Sequence, residues 1–340
     1  MKMPGGGYHK TGPGQGTDDS ELATCILLGL IDTNIAPYLG GKENEYKAHL
    51  NMDRVAMRYR DWYESNPFDC GQTVRGSLSA LTRHTRELAQ PPSWDLIVRE
   101  TGAKDIYKVT QRVNTNSKSN GSLMKICPLA IWASGIVKGC TDPVAEFEQY
   151  KRYRDIIDDD VKIIHNEPLT RSCIFVYSLA ISHMFNNNTD VNRAKQAFDL
   201  AYTCGGTKLA NEEADNGLAS VCKWIDEAKD VFKETQGGFI YDGSEDMVEK
   251  YKCTSAIGFI KHAFILSFYY LLKIDHWKND AERMKGMYKE CVREVISLGG
   301  DTDTNACIVG GIIGAYLGVN NVDYTMMGVY FDWDPTDPKK

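Results

Sequence analysis

The feature that most constrains the fold of this 340-residue chain is a hydrophobic period that is helical along nearly its whole length. Apolar residues return every three or four positions in Asp19 to Ile31, Leu123 to Val137, Thr170 to Phe185, Val191 to Cys204, Ala214 to Phe232, Ile257 to Ile274 and Ala281 to Ser297. Each segment can therefore bury one face as a helix. Ala306 to Leu317 is apolar nearly all round, which predicts a central helix. A strand would need strict alternation, and no alternating run exceeds a few residues. Turn chemistry falls between helical segments, at Gln90-Pro91-Pro92-Ser93, Asn186-Asn187-Asn188-Thr189 and Gln236-Gly237-Gly238. No Pro/Gly/Ser linker and no fixed-period repeat divides the chain. The expected fold class is all-α: a compact helical bundle in one domain, 1–340, with a glycine-rich start at 1–16 and a polar tail at 332–340.

Composition narrows the partners. With 42% hydrophobic residues the chain can bury a sizeable core, and a net charge of -7 without basic runs argues against nucleic acid and membrane surfaces. Ten cysteines are scattered singly with no CxxC pair, so their spacing suggests no structural zinc site. Several sit in apolar runs, as Cys25 does, and fit a reducing, cytoplasmic setting. The start, Met1 to Gly16, has no apolar core of a signal peptide. The apolar stretch Ala306 to Val319 is too short for a membrane span. A soluble monomer is expected.

Two acidic clusters stand before apolar helices. Thr17-Asp18-Asp19 is explained well enough by helix capping and by acids complementing the helix dipole. Asp301-Thr302-Asp303-Thr304 is harder to explain that way, because capping needs one oxygen acceptor and this segment offers four oxygen-bearing side chains in a row. Gly299 and Gly300 before it allow a tight turn or a close approach. Nearby carboxylates repel unless a cation lies between them, and hard cations take such all-oxygen sets. The later glycine and glutamate of an EF-hand are absent. Gly310, Gly314 and Gly318, four apart, read as a close helix–helix packing face. Gly12-Pro13-Gly14-Gln15-Gly16 lacks dinucleotide-binding spacing and no strand precedes it.

Taken together, these motifs resemble the ADP-ribosylglycohydrolases, most closely the dinitrogenase-reductase-activating type. They are Gly5-Gly6-Gly7, Pro13-Gly14-Gln15, Thr17-Asp18-Asp19, Asn120-Gly121-Ser122-Leu123-Met124 through Pro128, and Gly299 to Ala306 with Gly310, Gly314, Ala315 and Gly318. The resemblance spans roughly Gly5 to Gly318, with the motifs in family order. It implies a compact all-α fold with two Mg²⁺ or Mn²⁺ ions, held by Thr17, Asp18 and Asp19 from one side and by Asp301, Asp303 and Thr304 from the other. It implies that Asn120, Gly121 and Ser122 line an ADP-ribose cleft with His165 near its rim. Read alone, Asn120-Gly121 is a turn leading into a helix, Ser122 is a potential N-cap, and His165 is a structural histidine. The sequence departs from the family pattern in two places. The sixteen residues before Thr17 carry no acid, so the acid of the family's first helix has no counterpart among them, and Lys125 stands where arginine is common.

The activity implied is hydrolysis of ADP-ribose from a modified protein side chain. The ions would hold the ribose and lower the pKa of the attacking water, and Asp303, between hydroxyls, is the residue expected to orient it. The alternative reading is a metal-dependent ADP-ribose-binding protein without hydrolase activity; a purely structural helical protein ranks last.

Overall fold

The computed structural model describes residues 10–34, 52–88, 106–207, 215–238, 253–322 and 327–328. The motif Gly5 to Gly7, the turn Gln90 to Ser93 and the tail 332–340 lie outside them. The described α-helices are α1 (Asp18–Asn34), α2 (Met52–Glu64), α3 (Gln72–Leu88), α4 (Cys127–Ala133), α5 (Phe147–Ile164), α6 (Pro168–Asn186), α7 (Arg193–Gly205), α8 (Asp215–Thr235), α9 (Ile260–Trp277), α10 (Ala281–Ser297) and α11 (Thr302–Leu317). A 3₁₀ turn, Ile106–Arg112, precedes α4. No strand occurs among the described residues, and an isolated antiparallel bridge joins Ser119 to Phe259. The all-α expectation is met.

Helix α6 is the most enclosed. Pro168 opens it, where its missing N–H costs nothing, and the Glu167 carboxylate accepts a hydrogen bond from the Thr170 N–H at 2.7 Å. Its Ile174, Phe175, Val176, Leu179 and Ile181 are buried, each worth about 1.5–3 kcal/mol relative to exposure. Helices α4, α5, α7, α8 and α11 pack around it. Helix α11, expected at the centre, packs against α6, α9 and α10. The glycine face divides in the structure. A Cβ at Gly310 or Gly314 would meet Tyr288 of α10, at 3.0 Å or 3.8 Å, so those two do serve helix packing. Gly318 instead ends the helix with a φ of +71°.

Several boundaries differ from expectation. A helix was expected from Leu123, but it begins at Cys127, because Pro128 cannot donate to residue 124 and its ring would clash there. A helix was expected from Ile257, but it begins at Ile260, because Ala256 and Gly258 have φ of +52° and +80°. Helices α2, α3 and α5 were not anticipated. In α2 the core-facing stripe Val55, Ala56 and Tyr59 is interleaved with charges of the outer face, an amphipathic pattern without the apolar run that marks α6 or α11.

Candidate active site

Both acidic clusters prove to be helix starts, and the two helices meet there. Asp18 and Asp19 open α1, while Thr302, Asp303 and Thr304 form the first turn of α11. The Asp19 Oδ2 accepts hydrogen bonds from the Thr17 hydroxyl at 3.0 Å and, across 285 positions of sequence, from the Thr304 hydroxyl at 3.4 Å. The positive ends of two helix dipoles thus face one group of carboxylates. The turn into α11 is possible only for glycine: Gly299 and Gly300 have φ of +73° and +74°, and a Cβ at Gly300 would lie 2.0 Å from the Cys253 carbonyl oxygen.

Crowding and burial raise the carboxyl pKa values. Asp18 is pushed up to about 6, chiefly by burial and then by the charge of Asp69, against a hydrogen bond from the Gly71 N–H at 3.4 Å. Asp19 is pushed up to about 8 by burial, then by Asp18 and Asp303. Burial also raises Asp301, partly offset by the Asn120 amide. Asp303 is exposed, unlike Asp18 and Asp19.

These groups suit hard cations. The Asp19 Oδ1 is buried and has no hydrogen-bond partner, which a bound cation would supply. Among the described residues no three His, Cys, Asp or Glu side chains already close on one point. The donor set therefore depends on the Thr17 and Thr304 hydroxyls as well as the carboxylates, all oxygen donors of the kind Mg²⁺ and Mn²⁺ take.

Asn120 joins this group directly. Its Nδ2 donates to Asp301 Oδ2 at 2.8 Å, and its N–H donates to the Gly258 carbonyl at 2.9 Å. Gly258 is close by; a Cβ there would sit 3.5 Å from Asp301 Oδ2. Gly121, Ser122 and His165 lie behind Asn120. The Ser122 hydroxyl is fully buried against His165 Nδ1 at 2.7 Å rather than capping a helix. His165 Nε2 bonds the Ser119 hydroxyl at 2.7 Å. His165 has no exposure, so it supports the segment from beneath instead of standing at a rim. Burial holds its pKa down to about 3, and the ring is neutral. A Cβ at Gly121 would be 3.7 Å from the His165 ring.

Asp69, Gly71 and Gly258 also border the centre, although no sequence motif marks them. The first two stand in an Asp-Cys-Gly turn whose acid gains meaning only once α2 and α3 bring it to Asp18. Lys125 is also buried, bonded to Asp160 and to the Tyr59 hydroxyl, so it braces α5 against α2.

Among the described residues, no helix is long and apolar enough to cross a membrane. The chain is 27% identical over 303 residues to the "Putative ADP-ribosyl glycohydrolase" of Acanthamoeba polyphaga mimivirus, covering 89% of this chain and 71% of that protein. It is 20% identical over 321 residues to the ADP-ribosyl-dinitrogen reductase glycohydrolase of Rhodospirillum rubrum, covering 94% and 75%. Of these two likenesses the one to the dinitrogenase type is the weaker, so the finer resemblance expected from the motifs is not the stronger one. A solved structure titled "ADP-ribosylglycohydrolase-related protein complex" superposes with a TM-score of 0.53 at 15% identity, over 96% of this chain and 80% of that one, a likeness of fold. The family model for ADP-ribosylglycohydrolase matches residues 2–331, and the chain belongs to the ADP-ribosylglycohydrolase family.

Proposed function

We propose that the chain hydrolyses the bond between ADP-ribose and a modified protein side chain, at the junction of α1 and α11, with two Mg²⁺ or Mn²⁺ ions. The observation that carries this reading is the partnerless Asp19 Oδ1, buried among carboxylates that burial and mutual repulsion push towards protonation. Thr17, Asp18 and Asp19 would hold cations from one side, and Asp301, Asp303 and Thr304 from the other. When bound, divalent ions supply Lewis acidity and lower the pKa of a nearby water.

The residues divide the remaining work. Asp303, exposed where Asp18 and Asp19 are buried, accepts a hydrogen bond from the attacking water and takes its proton as the oxygen bonds to the anomeric carbon. The bond from that carbon to the side chain breaks, and a proton returns to the leaving side chain. Asn120 holds Asp301 in place. Gly121 and Ser122, both buried, and His165 beneath them brace Asn120 from behind rather than lining the ADP-ribose cleft as expected, so Asn120 is the member of that segment placed beside the acidic cluster.

The test follows free ADP-ribose from arginine- and serine-modified peptides in the presence of Mn²⁺. Release that stops with EDTA and in Asp303→Asn is expected. Tight ADP-ribose binding with no release from either peptide would favour a binding protein.

A further inference from the structure

Beside the acidic centre, the end of α2, the turn at 65–71 and α3 enclose a cavity of about 660 Å³. Arg75, Ser79, Thr82, Arg83 and Arg86, spaced as one helical face of α3, line it. Glu64 is shared between Arg60 and Arg86, the latter pair at 2.9 Å. Arg75 and Arg83 are exposed and have no ion-pair partner among the described residues. Thr82 is only 6% exposed, and its hydroxyl has no hydrogen-bond partner. A chain with a net charge of -7 has therefore gathered three arginines and an unused hydroxyl in one concave site. Its volume falls in the range of roughly 300–1,000 Å³ that suits ligand sites.

The position of the cavity matters as much as its charge. Cys70 lines it, and the next residue, Gly71, donates its N–H to Asp18. One short turn separates the basic cavity from the acidic centre. A polypeptide whose modified side chain enters the acidic centre would run its neighbouring residues across that turn. Acidic neighbours would be drawn to the arginines, whose planar forks match carboxylate oxygens.

We propose that this cavity is a docking subsite for an acidic stretch of the protein that carries the modified side chain, an inference that rests on the glycohydrolase reading of the centre. ADP-ribose is common to every such substrate, so a preference among carrier proteins that share one linkage has to come from contacts with the polypeptide, and this cavity offers them.

The test uses fluorescein-labelled oligoglutamate and oligoglutamine peptides, with anisotropy read at low and physiological salt. The full chain is compared with the double variant Arg75→Gln, Arg83→Gln and with Arg293→Gln, an exposed control on α10. The subsite predicts binding of oligoglutamate but not oligoglutamine. It predicts weakening by about tenfold or more in the double variant, in line with loss of charge-assisted contacts, and none in the control. Oligoglutamate binding that is equal in all three proteins overturns the proposal. So does a phosphoserine peptide that binds tightly where oligoglutamate does not, because the site would then be a phosphate site. A second arm measures release of ADP-ribose from modified peptides with acidic or neutral flanks. The acidic flank should lower KM in the wild type and lose that advantage in the double variant, with kcat unchanged. If neither peptide is cleaved, the glycohydrolase reading fails, while the anisotropy comparison still decides the subsite.

Discussion

The Asn120 side-chain amide donates a 2.8 Å hydrogen bond to Asp301 Oδ2 across 181 positions of sequence. This one bond links the segment expected to meet ADP-ribose with the cluster expected to hold cations. Asn120 is held in turn by its own backbone, through the Gly258 carbonyl, and by the Leu123 N–H, which donates to its carbonyl at 2.8 Å. The 118–120 and 258–260 segments pair by the Ser119–Phe259 bridge, so the cluster and Asn120 are positioned as one unit.

Asn120→Ala removes the donor and leaves Asp301 among like charges. Partners that orient metal-binding carboxylates typically contribute about 10–100-fold to metal affinity or activity. Mn²⁺ affinity by calorimetry, and ADP-ribose release, should both fall within that range while the helical circular dichroism is unchanged. Unaltered Mn²⁺ affinity would separate Asn120 from the centre.

Some of this was legible in the sequence because its signal is local. The helical period identified α6, α9, α10 and α11, whose buried faces are plainly apolar, and the Gly-Gly before Asp301 signalled a turn that the φ values require. Helices α2, α3 and α5 do carry the period, but on narrow stripes such as Val55, Ala56 and Tyr59 or Tyr150, Tyr153 and Ile157 set among charged residues, so they lack the apolar runs by which α6 and α11 stand out. The place of His165 could not be read either. The residue caps α5, and only the return of the chain at 119–122 puts two serine hydroxyls on its ring. Meaning that comes from long-range contact, as for Asp69 and Lys125, leaves no local pattern.

Lys125 tests the long-range kind. Its ammonium, Asp160 and Tyr59 are all fully buried, with the Tyr59 hydroxyl donating to Asp160 at 2.7 Å. Lys125→Met leaves the Asp160 charge buried without its cation, which typically costs about 3–5 kcal/mol. The double variant Lys125→Met, Asp160→Leu should recover much of that stability in chemical denaturation. Equal stability of wild type and Lys125→Met would mean the ammonium is not needed.

Asp158 predicts a pH dependence. Burial would raise its carboxyl, but the Arg171 hydrogen bonds, at 2.5 and 2.6 Å, outweigh that, and with Lys162 they hold its pKa below 3.8. A depressed carboxylate stabilises the fold above its unfolded pKa, and the contribution fades as pH falls through the folded one. Asp158→Asn should therefore cost stability at neutral pH, by about 1–3 kcal/mol for a hydrogen bond to a charged group, and progressively less below about pH 4. A gap between the two melting curves that stays constant with pH would contradict this.

Two glycines of the α11 region should respond oppositely. Gly314→Ala meets Tyr288 at an ordinary 3.8 Å and gains helix propensity, so its melting midpoint should hold or rise slightly. Gly300→Ala forces a Cβ to within 2.0 Å of the Cys253 carbonyl oxygen at a φ of +74°. The turn must shift, and with it Asp301, so ADP-ribose release and Mn²⁺ binding should both be lost. Midpoints and Mn²⁺ titrations of the two variants side by side decide it.

The cation itself offers the broadest check. Without one, Asp19 keeps an oxygen buried and partnerless among Asp18, Asp301 and Asp303. A ligand that binds only the folded chain stabilises it by about 2.7 kcal/mol at a hundred times its dissociation constant, so Mg²⁺ or Mn²⁺ should raise the melting midpoint and EDTA should reverse the rise. Asp19→Asn discriminates between cation binding and general salt effects. It keeps the shape and removes a charge whose burial is unfavourable, so the metal-free variant should be at least as stable as the metal-free wild type. The rise on adding Mn²⁺ should be largely lost, because the charge that rewards the cation has gone. An equal Mn²⁺ response in both proteins would place the cation elsewhere, and no response in either would remove cations from this site.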